Sequence, residues 1–246
     1  MEKYLYHLYD KLASRHWWFL GRRKIILDLI DKFLPKKVDL KILDAGCGTG
    51  DFLPFLKKYG QVWGIDNSKE AIELCKNKGS LVIQQSLLNI HFPKNNFDLI
   101  MALDVIEHIN DELAVIRELK RVAKNDGLIV ITVPAYQFIW SGHDDACDHK
   151  KRYISAHLKK IGQLAGLKLI KISYFNTFLS PLIILFRLVK KLLKIEGGDL
   201  KETKPFLNFI FKKIFSAESI FLKYINFPFG VSILAIFKNN ALKKNQ

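Results

Sequence analysis

Three groups of residues in this 246-residue chain have types and spacings suited to chemistry. The first is Asp44-Ala45-Gly46-Cys47-Gly48-Thr49-Gly50-Asp51. Its glycines can take positive φ and let the backbone approach a ligand closely. The run has no Gly-Lys-Ser/Thr, so it is not a P-loop. Its third glycine, Gly50, comes one residue too early for a dinucleotide fingerprint. Asp66 follows about twenty residues after Asp44, where an acid ending a second strand can accept both ribose hydroxyls. Its alternative use is a helix N-cap, which Asn67 or Ser68 can supply instead. The second group is the stretch Trp140–Tyr153, holding His143, His149, Asp144, Asp145, Asp148 and Tyr153. Either histidine can act as a base near neutrality, and the plainer alternative is a solvated, turn-rich loop. In the third group Asp104, Glu107 and His108 fall at i, i+3 and i+4, on one side of a helix. With His143 they form an alternative metal set, although the expectation is no metal. Glu107 can equally cap the helix near Asp111.

Those groups need elements to position them. Residues 1–37 read as helices, from Leu5, Leu8, Tyr9 and Leu12 and then Ile25, Ile26, Leu29, Ile30 and Phe33, closed by Pro35. The periodicity then changes to short apolar strands at 41–45, 62–66, 81–85, 97–102, 127–133, 167–173 and 231–237. Helices are expected between them, over 51–59, 69–77, 111–123 and 158–165. Alternation of this kind implies βαβ crossovers, hence an α/β fold with a doubly wound, mostly parallel seven-stranded Rossmann-like sheet. The expected division is a helical cap at 1–38, a core at 39–175, a helical insertion at 176–229, and a last core strand with a tail at 230–246. Ligands in such sheets bind outside the carboxyl ends of the strands, where the strand order reverses.

DAGCGTGDFL, with Asp66 at this separation, resembles the cofactor motifs of class I S-adenosylmethionine-dependent methyltransferases. Phe97-Asp98-Leu99-Ile100 and Asp104-Val105-Ile106-Glu107-His108 are similar to the fourth strand and following loop of the small-molecule branch, type 11/23-like. The resemblance covers roughly residues 40–135. It implies S-adenosyl-L-methionine as cofactor, with Asp44 and the backbone of Gly46, Gly48 and Gly50 on its methionine part and Asp66 on its ribose. Ser86, Leu87 and Leu103 are the further implied contacts. One departure bears on the adenine: the family usually carries an acid after the third strand, and this chain reads Gln85-Ser86-Leu87. Methyl transfer from a sulfonium is an in-line displacement governed by positioning. An oxygen or nitrogen acceptor can also need a base. His143, His149 and Asp104 are the candidates for that work. Trp17, Arg22, Trp140, Arg152 and Tyr153 are the candidates for holding the acceptor. The Asp-Pro-Pro-Tyr type of segment of DNA-amine methylases and the Pro-Cys of cytosine-carbon methylases are both missing, which argues against those classes. Some RNA 3′-end and quinone-ring methyltransferases resemble the Asp104–His108 arrangement, with a divalent ion.

The chain carries 39 Lys and Arg against 24 Asp and Glu, a formal charge of +15. Such an excess favours polyanions, whether nucleic acid, an anionic membrane surface or phosphorylated substrates. A Lys-rich bias spread over a solvated surface is the alternative. Part of the excess lies in the insertion, where Arg187, Lys190, Lys191 and Lys194 interleave with Leu188, Val189, Leu192 and Leu193 after an apolar run from Phe178. Phe206–Phe215 repeats the recipe. Neither stretch is long enough to span a bilayer. Each can lie in a membrane interface or pack on the domain as a substrate lid. The segment His16–Arg23 together with the Trp140–Tyr153 stretch resembles a bacterial and archaeal branch linked to cell-surface polysaccharide or lipid pathways. A small-molecule, glycan or lipid-linked acceptor, methylated on oxygen, is therefore expected. An RNA methyltransferase and a non-enzymatic S-adenosylmethionine-binding module are the competing readings. Cys47, Cys75 and Cys147 form no C-x-x-C pair, and no signal segment is read at the N-terminus, so a cytoplasmic protein, peripheral at the inner membrane face, is expected.

Overall fold

The computed structural model describes residues 2–35, 39–76, 81–193 and 202–240. Two helices come first, α1 (Lys3–Ala13) and α2 (Trp17–Phe33). Leu34, next to Pro35, is already extended at ψ 133, as a residue before proline prefers, and α2 stops there. The sheet is built from β1 (Leu40–Ala45), β2 (Gly60–Asp66), β3 (Leu81–Gln84), β4 (Phe97–Leu103), β5 (Ala123–Pro134), β6 (Lys168–Phe175) and β7 (Ser232–Lys238). The helices between strands are α3 (Leu53–Leu56), α4 (Lys69–Lys76), α5 (Glu112–Val122), α6 (Gly142–Ala146), α7 (Ser155–Leu164), α8 (Ser180–Leu192) and α9 (Pro205–Leu222).

The seven strands are ordered β3-β2-β1-β4-β5-β7-β6. The first five run parallel, and β7 lies antiparallel between β5 and β6. Strands β1, β4 and β5 are apolar runs buried on both faces because helices cover both sides. One face carries α5 and α7, with Ile116, Leu119, Leu158 and Ile161 against the sheet. The other carries α2, α3, α4 and α9, through Ile26, Ile30, Leu53, Ile72 and Phe215. The strand order reverses between β1 and β4, and a crevice opens at their carboxyl ends.

Several local readings change. The helix expected over 51–59 is four residues of α3 followed by a 3-10 turn, Lys57–Tyr59. Gly60 ends it, because a side chain there would meet the Leu40 carbonyl oxygen at 2.1 Å. The stretch after β5 is not a plain loop but holds α6, whose N-cap Ser141 and Asp144 bond reciprocally in a capping box. In the insertion, α9 packs along α2 so closely that a Cβ on Gly21 would sit 2.4 Å from Phe215. Helix α8 behaves differently: of its residues only Ser180 is buried. Asn77 and Lys194, expected in helical or basic stretches, lie outside the described residues. Among the described residues no helix is long and apolar enough to cross a membrane.

Candidate active site

The crevice is a cavity of about 1270 Å³, with the β1–α3 loop on its floor and the N-terminal helices as one wall. The amides of Gly46 and Cys47 both donate to the Ile65 carbonyl, at 2.7 and 3.0 Å, which ties the loop to β2. Gly46 has φ +80, and a side chain there would strike Val105 at 2.4 Å. Gly48 has φ +52 with open space above it, so its need is conformational. Its amide donates to Asp66 Oδ2 at 2.9 Å, and the Ser68 amide donates to Asp66 Oδ1 at 2.9 Å. The Ser68 hydroxyl accepts from the Ala71 amide, so Ser68 takes the cap that Asp66 could have taken. Burial pushes the Asp66 carboxyl up, against backbone hydrogen bonds that pull it down.

Asp44 is 2% exposed, and burial raises its carboxyl to about 7 even though the Arg22 guanidinium pulls the other way. Arg22 reaches in from α2. It bonds Asp104 Oδ2 at 2.8 Å and lies 5.0 Å from the Trp18 ring centre. Asp104, at φ +55, also accepts the Thr132 hydroxyl at 2.9 Å. Both of its oxygens are thus engaged, one with the Arg22 guanidinium and one with the Thr132 hydroxyl. Ser86, Leu87 and Leu103 border the cavity, and the Ser86 hydroxyl accepts from the Leu88 amide.

Residues of α6 and the stretch after it border the same cavity. The Asp144 carboxylate is buried and accepts from Arg152 Nε at 2.8 Å and from the Ser141 amide at 2.9 Å. It also accepts from His149 Nδ1 at 2.7 Å. Burial alone would raise Asp144, but these partners hold it well below the usual carboxylate range. Against the Asp144 carboxylate His149 Nδ1 is the donor, which leaves Nε2 directed at other partners. Nε2 lies 3.9 Å from Glu107 Oε1. Glu107 is fully buried, neither carboxyl oxygen has a hydrogen-bond partner, and burial keeps the group protonated far above its ordinary value. His143 is turned elsewhere, 3.4 Å from the Tyr9 hydroxyl.

The residues expected in the site divide cleanly. Asp44, Gly46, Gly48, Asp66, Ser86, Leu87, Leu103, Trp17, Arg22, Asp104, His143, His149 and Arg152 all border the one cavity. Gly50, Trp140 and Tyr153 do not. Gly50 closes the loop through its amide to the Cys47 carbonyl, at 2.9 Å. Trp140 Nε1 bonds Asp145 at 2.9 Å. Tyr153 is a core residue, 1% exposed, whose hydroxyl donates to Glu112 at 2.6 Å, because its strand-like bridge to Ala135 turns the ring inward. Arg152 borders the cavity, yet its guanidinium is spent on Asp144 and the Ala135 carbonyl. The metal set also changes. Glu107, His108 and His149 each offer a ligand atom within 4.8 Å of the others, whereas Asp104 is paired to Arg22 and His143 faces Tyr9. Burial and the neighbouring His149 hold His108 down at about 4, so it is neutral at pH 7.

Tyr6, Tyr9 and Asn176 border the cavity and carried no signal in the sequence beyond helical spacing or a strand end. Asn176, at φ +55 and 1% exposed, has no hydrogen-bond partner on either amide atom.

Residues 43–131, from β1 through most of β5, match the family described as a methyltransferase domain. Residues 43–131 are a methyltransferase domain. The chain is 34% identical over 99 residues to a ubiquinone biosynthesis O-methyltransferase of Bradyrhizobium sp., covering 38% of this chain and 39% of that protein. It is 28% identical over 180 residues to ajmaline N-methyltransferase of Rauvolfia serpentina, covering 66% of this chain and 60% of that protein. The chain spans about half the length of the curated relatives it matches. A SAM-dependent methyltransferase structure from Archaeoglobus fulgidus shares the fold, with TM-score 0.63 at 20% identity over 95% of this chain and 99% of that one. The cavity floor fits the cofactor of this class. Gly48 leaves open space where a side chain would project, and the buried Asp44 and half-buried Asp66 carboxylates border the same cavity as acceptors for groups that donate hydrogen bonds.

Proposed function

We propose that the protein methylates an oxygen of a small, glycan-type or lipid-linked acceptor, using S-adenosyl-L-methionine. The observation that carries this reading is the Asp144–His149 pair, whose histidine borders the same cavity as the Gly46–Gly48 loop. When bound, the cofactor supplies an electrophilic methyl group. Asp66 accepts from the ribose hydroxyls while its other lone pairs hold the Gly48 and Ser68 amides. Asp44 faces the methionine amino group, and the Leu87 amide is the contact for the adenine edge. Trp17, Trp18 and the Arg22–Asp104 pair close the wall and exclude water. His149 Nε2 takes the acceptor proton, and the Asp144 carboxylate stabilises the imidazolium that results. The unpartnered Asn176 amide offers a donor and an acceptor to the polar end of the methyl acceptor.

The test is transfer of radiolabelled methyl from S-adenosylmethionine into cell extract, separated into lipid, glycan, small-molecule, nucleic-acid and protein fractions. Label in the lipid, glycan or small-molecule fraction supports the reading. Nuclease-sensitive label would replace it with an RNA methyltransferase, and no label in any fraction would leave a binding module.

Asp44 makes the floor sensitive to pH. Its carboxyl is raised from 3.8 to about 7, so the empty fold prefers it protonated. That contribution to stability is complete below 3.8 and is lost as pH rises through about 7. A ligand ammonium group reverses the preference. Affinity for S-adenosylhomocysteine should therefore rise between about pH 6 and 8 and then level off. Asp44→Asn should flatten both curves, in melting temperature and in calorimetric affinity. A wild-type affinity that is flat with pH would remove Asp44 from the amino-group contact.

A further inference from the structure

We propose that α8 and the outer face of α9 are a docking surface for an anionic membrane, set around the mouth of the cavity. On α8, Leu182, Leu185, Phe186, Val189 and Leu192 recur at i, i+3, i+4, i+7 and i+10, a single helix face, and all five are exposed. Leu185 is 60% and Leu192 82% exposed. A helix that belonged to the core would bury that stripe, but α8 buries only Ser180. It is held from its other side, where Arg187 Nη1 donates to the Ile139 carbonyl at 3.1 Å. On α9 the inner face packs on α2, while Phe206, Phe209 and Ile220 are exposed. Phe206 is 74% exposed.

Charge selects the occupant. Residues 180–193 and 204–217 contain no Asp or Glu, against Arg187, Lys190, Lys191, Lys204, Lys212 and Lys213. An apolar stripe of Leu and Phe flanked only by cations complements a bilayer surface of anionic headgroups. A contiguous patch of this kind on a water-facing surface would be a liability without a partner. Both helices also reach the cavity: Ile183 and Phe186 of α8 and Leu207 and Phe211 of α9 border it. A chain held in the bilayer can therefore pass along the α8 stripe to the site without crossing water. This last point rests on the proposed acceptor class, whereas the docking itself does not.

The experiment is co-sedimentation of the full chain with vesicles of phosphatidylglycerol and phosphatidylcholine, against vesicles of phosphatidylcholine alone. Wild type should sediment with the anionic vesicles and be released by salt, because surface charge attraction is screened at high ionic strength. Leu185→Asp with Leu192→Asp should weaken that binding by at least about tenfold. Lys191→Glu with Lys212→Glu should remove the preference for anionic lipid. Both double variants should keep wild-type affinity for S-adenosylhomocysteine and the wild-type circular dichroism spectrum, since none of these four side chains borders the cavity. Wild type left in the supernatant with both vesicle types would overturn the proposal. So would Asp variants that sediment as well as wild type, or that differ only by converting a dimer to a monomer. Vesicle binding with no methyl transfer to any extract fraction would uphold the docking surface while removing the proposed reaction.

Discussion

His149→Ala should lower the methyl-transfer rate by roughly 10²–10⁴-fold, the usual worth of a positioned general base. Its affinity for S-adenosylhomocysteine should stay at the wild-type value, because His149 borders the cavity outside the Gly46–Gly48 loop. The measurement is single-turnover transfer to the acceptor recovered from the extract fractionation, with calorimetry on the same preparation. Asp144→Asn should show a smaller version of the same loss together with a lower melting temperature, since Asp144 also binds Arg152 and the Ser141 amide. His143→Ala should be mild, because His143 is directed at Tyr9 and Cys147. Full activity in His149→Ala would place the base elsewhere in the cavity.

For Asp66→Ala the expectation is at least about tenfold weaker binding of S-adenosylhomocysteine, equivalent to about 1.4 kcal/mol. Two effects combine in that variant. The ribose loses its acceptor, and the Gly48 and Ser68 amides lose the strut that holds the loop to the end of β2. Asp66→Asn separates them, since its carbonyl oxygen can still hold one amide but its amine end repels a second donor. Asn should therefore recover melting temperature more fully than affinity. If calorimetry gave the wild-type constant for Asp66→Ala, the ribose assignment would be withdrawn.

Much of the fold could be read from the chain because its strands are short, apolar and punctuated. Each of the seven appears within a few residues of its expected place, while the order that sets β1 beside β4 is a tertiary fact. The loop after β1 was legible for a related reason: its glycines Gly46 and Gly48 and the strand-end acids Asp44 and Asp66 are set by local sequence, and all four border the cavity. The wall around His149 was not. Tyr153 and His149 stand four residues apart in the same polar stretch, yet one ring is turned into the core and the other to the cavity. That outcome depends on α6 and on the bridge from Ala135 to Tyr153, which are tertiary facts. Nor could spacing reveal that Arg22 would choose Asp104 across more than two strands of intervening chain, or that Tyr6 and Tyr9 would close the wall. The difference between α8 and α9 was equally hidden, since both read as basic, apolar helices and only α9 packs along another helix.

The seam between α2 and α9 has a consequence for how the protein is made. Gly21 meets Phe215, and the Trp17 amide donates to Asn208 at 2.7 Å, so the first wall of the cavity is completed by residues from the last fifth of the chain. During synthesis the N-terminal helices emerge first, and the side of α2 that meets α9 stays uncovered until that helix follows. The strand β7, which must slip between β5 and β6, arrives later still. The α2–α9 seam therefore closes only after the five parallel strands that carry the glycine loop have emerged.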